Sequence, residues 1–133
     1  MATDGKSATR RPLVLAIAEA GLRSVLAASL ALNDQLPIIC TEYLDPALGA
    51  ALRAAAILII EEALISAAPE QCIETLRGQS WGGALIIIVE YMPNGISASD
   101  GLALVDRAYA VSAVTTLVND WQTNGTKLVN RPD

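Results

Sequence analysis

The sequence predicts an α/β protein in which a five-stranded parallel sheet carries helices on both faces. Three observations lead there. Ala54 to Ile60 is apolar without a break or an alternation and stops at Glu61-Glu62. A strand with one face in water would show a polar residue at every second position, so this one is covered on both sides and is the central strand. Similar runs, Leu13 to Ala18 and Ala84 to Val89, lie before and after it. Between the runs, apolar residues recur three and four apart, which is the helical period. Strand and helix alternate, and right-handed crossovers turn such a repeat into a parallel sheet.

Taken in order, residues 1–11 read as a flexible leader and Leu13 to Ala18 as the first strand. Leu22, Val25, Leu26, Ser29 and Leu30 mark an amphipathic helix that ends at Asn33-Asp34. Leu36 to Thr41 is the second strand. Asp45 suits an N-cap and Pro46 the first helical position, so Ala47 to Arg53 is a short second helix. The central strand follows, and burying Ile57, Leu58, Ile59 and Ile60 contributes roughly 1.5–3 kcal/mol each. Ser66 or Ala68, with Pro69, opens a third helix that turns Cys72, Ile73 and Leu76 inward and ends at Gly78. Ala84 to Val89 is the fourth strand, and Met92-Pro93-Asn94-Gly95 is a turn. A fourth helix over Gly101 to Tyr109, capped by Ser99 or Asp100, and a fifth strand over Val111 to Val118 complete the pattern. From Gln122 to Asp133 there is no helical period, so residues 12–121 form the domain and 122–133 a polar tail. Without a Gly-x-Gly-x-x-Gly after the first strand, the arrangement is flavodoxin-like, of strand order 2-1-3-4-5, with its fifth helix short or missing. That omission predicts a bare apolar sheet face and hence a homodimer.

A chain of 133 residues can build one core without a disulfide or metal staple. Although 53% of it is hydrophobic, no apolar run reaches the ~20 residues that span a bilayer. The polar N-terminus lacks the apolar segment of a secretory signal, which predicts a cytoplasmic protein that engages no membrane. The net charge of −5 comes with scattered Lys and Arg, against nucleic-acid binding. Cys40 and Cys72 form no Cys-x-x-Cys pattern and read as buried thiols. The absence of histidine removes the commonest general base and transition-metal ligand.

Gly78-Gln79-Ser80-Trp81-Gly82 matches the pattern of a hydrolase nucleophile elbow, but it joins a helix to a strand rather than a strand to a helix, and no histidine exists to activate Ser80. Gly5-Lys6-Ser7 lacks the front half of a phosphate loop, and Asn124-Gly125-Thr126 is a glycosylation sequon without export. The informative residues are acidic. Glu61 and Glu62 end the central strand at the edge where open α/β sheets bind ligands, and alternation lets at most one of them enter a given site. Glu19 and Glu90 follow two other strands and are the neighbours that could join them; solvated strand-end charges are the alternative for all four.

The pattern from Leu13 to Trp121 resembles a degenerate receiver domain of the CheY-like response regulators, of the kind appended to hybrid sensor kinases, whose third strand likewise ends in paired glutamates followed by a small residue and leucine. In receivers the first strand ends in an acidic pair that holds Mg²⁺; matching Leu22-Arg23 to the family's hydrophobic-Arg step puts Ile17 and Ala18 there, with only Glu19 nearby. Matching Leu64 sets Glu61 at the phosphoacceptor aspartate. Val89 or Glu90 replaces the family's hydroxyl residue, and Asn119-Asp120 its Lys-Pro. The resemblance implies a non-enzymatic signalling module of a two-component system, without metal or cofactor, not phosphorylated, that works through contact with a protein such as a histidine kinase or the kinase of its own chain. A receiver that takes phosphate at a non-standard residue, or a small flavodoxin-like ligand-binding domain, are the alternatives.

Overall fold

The computed structural model describes residues 11–65, 71–90, 92, 96–99 and 101–124. Its elements are β1 (Leu13–Ala16), α1 (Ala20–Leu32), β2 (Ile38–Cys40), α2 (Ala50–Ala55), β3 (Ile57–Glu61), α3 (Cys72–Gly78), β4 (Ala84–Val89), β5 (Ile96–Ser99), β6 (Leu102–Asp106) and α4 (Ala110–Asn124), with single 3-10 turns at Glu62–Leu64 and Arg107–Tyr109. The sheet runs β2-β1-β3-β4-β6-β5. Its first five positions are parallel and follow the expected 2-1-3-4-5 course, and β5 adds an antiparallel edge against β6.

Alternation within the strands divides the core. Leu13, Leu15, Ile57, Ile59 and Ile86 face α1 and α4, where they meet Leu26, Leu30, Val114, Val118 and Trp121. Val14, Ala16, Leu58, Ile60, Leu85 and Ile87 face the other way, toward Tyr43, Leu48, Leu76 and Trp81. Every residue of Ile57 to Ile60 is fully buried, as a strand covered on both faces must be.

The C-terminal third differs from the sequence expectation. Gly101 to Tyr109 is not a helix. Leu102 to Asp106 is a strand, and Ser99 pairs with Leu102 across a two-residue connection, Asp100-Gly101, with Gly101 at φ +76°. Asp-Gly between two such runs is a hairpin signal, because only glycine reaches that backbone conformation without strain. Nor is Val111 to Val118 a strand. Ala110, Val114, Val118 and Trp121 are buried at helical spacing, and their neighbours Ser112 and Thr116 are exposed. The β-branched residues favour strand locally, and burial of this stripe overrides that preference. The helix passes the expected domain end at Trp121 and reaches Asn124. The supposedly missing final helix is therefore α4, it covers the sheet face that was expected to be bare, and the argument for self-association through that face falls. Residues 1–10 of the expected leader and 125–133 of the expected tail lie outside the described residues, as do Ser66, Ala68 and Pro69.

Polar pairs fix how the last helix docks. Ser29 and Thr115 share a hydrogen bond of 2.8 Å, and one turn further along both helices Asn119 donates to Asn33 at 3.1 Å. The Arg11 amide donates to the Gln122 side-chain oxygen, and the Gln122 amide group donates back to the Arg11 carbonyl, each at 2.9 Å.

Candidate functional site

The carboxyl ends of β1, β3, β4 and β6 meet at one edge of the sheet. Glu61, the last residue of β3, is only 4% exposed there. One of its oxygens accepts the amides of Ala18 at 2.6 Å and Glu19 at 3.3 Å, just beyond β1. The other accepts Arg107 Nη1 at 2.5 Å, from the residue immediately after β6. Burial alone would push the Glu61 carboxyl up, but the guanidinium and the two amides outweigh it and hold the group below the usual carboxylate range. Arg107 is raised in turn, chiefly by its hydrogen bond to Glu61.

Arg107 gathers the other strand-end acids. Its Nη2 lies 3.5 Å from Glu19 Oε1 and its Nη1 3.9 Å from Glu90 Oε2. Glu19 also caps α1, accepting the amides of Gly21 and Leu22. Glu62 begins the 3-10 turn and lines two clefts. One, of about 340 Å³, is bordered by Glu61, Ile65, Ile88, Glu90 and Arg107; the other, of about 370 Å³, is floored by Cys72, Ile87, Val89 and Leu104. Glu61, Glu19 and Glu90 thus converge on a single cation, with Glu62 beside them. Asn119 is elsewhere: it sits on α4 and bonds to α1, because the segment matched to a fifth strand is a helix.

Arg107 is the residue that sequence reasoning missed. Once Leu102 to Asp106 is a strand, Arg107 is the first residue beyond it, at the edge where charge collects. The Asp100-Gly101 pair was the available signal. Asp106 prepares its position: its carboxylate accepts the amides of Ala108 and Met92, both at 2.8 Å, and so holds the turn that aims Arg107 at Glu61.

Chemically, the centre of the site is an ion pair between a buried carboxylate and a partly exposed guanidinium. Glu61 already receives three donors, and Ile17 and Ala18, where the resemblance expected metal ligands, carry no oxygen in their side chains. Ser80, in the pentapeptide that resembles a nucleophile elbow, is exposed in the α3–β4 turn.

The solved structure of a response regulator receiver domain protein from Bacillus halodurans matches 83% of this chain and 95% of that one, with a TM-score of 0.59 and 11% sequence identity. The chain therefore has a receiver-like, flavodoxin-like α/β fold. No protein-family model and no curated protein matches it. No described helix is long and apolar enough to cross a membrane.

Proposed function

We propose that this chain is a receiver-like module of two-component signalling that takes no phosphate, catalyses no reaction and acts by binding another protein. The observation that carries the reading is the Glu61–Arg107 pair. Glu61 stands at the end of the third strand, the phosphoacceptor position of the receiver fold, and supplies a permanent carboxylate there. Arg107, beyond the last parallel strand, neutralises it in the way a basic residue would neutralise a transferred phosphoryl group. A phosphoryl group arriving at Glu61 would have to displace Arg107 and two amides, and the side chains of Ile17 and Ala18 beside it offer no oxygen to a metal that could offset its charge.

In this reading the pair holds the strand ends in one arrangement, and a partner reads the neighbouring loops. A cytoplasmic histidine kinase, separate or in the same chain, is the kind of partner the fold favours, and Glu19, Glu62 and Glu90 give the surface it would meet an acidic rim. Self-association belongs to the same reading, through a surface other than the α4 face.

The test is treatment with acetyl phosphate or phosphoramidate in the presence of Mg²⁺, followed by intact-mass measurement. No phosphoryl adduct is expected. A stoichiometric adduct would overturn the reading, and its position would identify the acceptor.

A further inference from the structure

Exposed apolar side chains gather along one edge of the sheet. Among the described residues seven large hydrophobic side chains are exposed, and five of them fall between positions 32 and 44: Leu32 at 86%, Leu36 at 84%, Ile38 at 43%, Ile39 at 51% and Leu44 at 36%. Ile38 and Ile39 lie on β2, Leu36 and Leu44 on the segments entering and leaving it, and Leu32 at the end of α1. β2 is the outermost strand, paired to β1 on one side, with Ile38 in register with Val14 and Ile39 with Leu15. Val14 and Leu15 face opposite layers of the core, so β2 shows an isoleucine on each face of the sheet.

An edge strand that stays single is blunted by brevity, proline, lysines, inward charges or bulges. The stretch Leu36-Pro37-Ile38-Ile39-Cys40 has no charged residue. Only the brevity of the strand and Pro37 limit pairing. The five side chains expose roughly 500 Å² of apolar surface in all, divided between the two faces of the sheet. The surface each partner contributes to a standard interface is ~800 Å². The surface also complements itself. In an antiparallel alignment centred on Ile39, Ile38 of one copy meets Cys40 of the other, and Leu36 falls beside the Glu42–Leu44 segment. On the opposite edge strand, β5, Ala98 and Ser99 are exposed.

We propose that β2 is the interface of a homodimer, in which the two β2 strands pair antiparallel about a two-fold axis near Ile39 and the sheet continues from one copy into the next. Such a contact is isologous and closed, so it stops at two copies. It does not depend on whether Glu61 accepts phosphate, and the intact-mass experiment can fail without touching it.

Light scattering after size exclusion, on the full chain up to high micromolar concentration, tests the interface. The wild type is expected to be a dimer, and Ile39→Lys and Leu36→Lys to weaken it at least about tenfold, with unchanged far-ultraviolet circular dichroism. Leu36 lies outside the strand, so Leu36→Lys retains the test if Ile39→Lys disturbs folding. Tyr109→Lys, at an exposed hydrophobic far from β2, is expected to leave the dimer intact. A monomeric wild type, a dimer indifferent to both β2 substitutions, or equal dissociation by Tyr109→Lys would each overturn the proposal.

Discussion

Arg107 Nη1 lies 2.5 Å from Glu61 Oε2, joining the first residue after β6 to the last residue of β3 across the end of β4. The pair is unequal in exposure, with the Glu61 side chain 5% and the Arg107 side chain 31% accessible. Removing the arginine strands a buried carboxylate, so Arg107→Ala is expected to cost about 2–3 kcal/mol in urea unfolding, less than breaking a fully buried pair because Arg107 is partly exposed. The double variant Glu61→Gln with Arg107→Ala should cost less than the sum of the single changes, because the uncompensated charge is then absent. Strict additivity would show that the pair contributes nothing as a pair.

The same pair sets a pH dependence. The folded-state pKa of Glu61 is depressed, so its contribution to stability is complete above the unfolded glutamate value and disappears as pH falls through the folded one. Between neutral pH and about pH 3 the wild type should therefore lose more stability than Glu61→Gln. Denaturation curves for both proteins at the two pH values check this, and parallel losses would mean that the carboxylate is not specially held.

α4 closes one face of the sheet through residues that are fully buried at Val114 and Val118. Val118→Asp places an unpaired charge against that face and is expected to cost more than ~3 kcal/mol. Binding of a hydrophobic dye would accompany the loss of the helix. A folded, dye-excluding Val118→Asp protein would contradict the packing described above.

Among the described residues three turns hold a left-handed backbone conformation, with Asp34 at φ +63° and both Gly101 and Ser80 at φ +76°. Gly101→Ala should destabilise the β5–β6 hairpin by about 1 kcal/mol, whereas Ser80→Gly should be neutral or stabilise by a few tenths, because it relieves the steric cost of a Cβ at that position. Thermal melts of the two variants should move in opposite directions or, for Ser80→Gly, not at all.

The sequence made the sheet legible where burial is complete. Ile57 to Ile60 and Ala84 to Ile88 announce themselves as strands because no polar residue interrupts them, although the apolar run before Ile57 begins in α2, whose Ala54 and Ala55 are exposed; the position of Glu61 at an edge follows from where that run stops. It was misleading where local preference and tertiary packing diverge. Val111, Val114, Thr115, Thr116 and Val118 are β-branched, yet α4 forms because Ala110, Val114, Val118 and Trp121 share one helical face within the core layer it forms with α1 and β6. That reversal displaced the end of the last parallel strand by a dozen residues. Asn119 then stood in the place that belongs to Arg107, so three acids of the site were found without the cation that joins them.

The reciprocal hydrogen bonds between Arg11 and Gln122 bring the first and last described segments of the chain to the same spot. Segments that meet in this way suit a unit to being set into a surface loop of another protein without prising either partner apart. The strand-end acids, gathered about Arg107 at the other end of the strands, lie away from that spot.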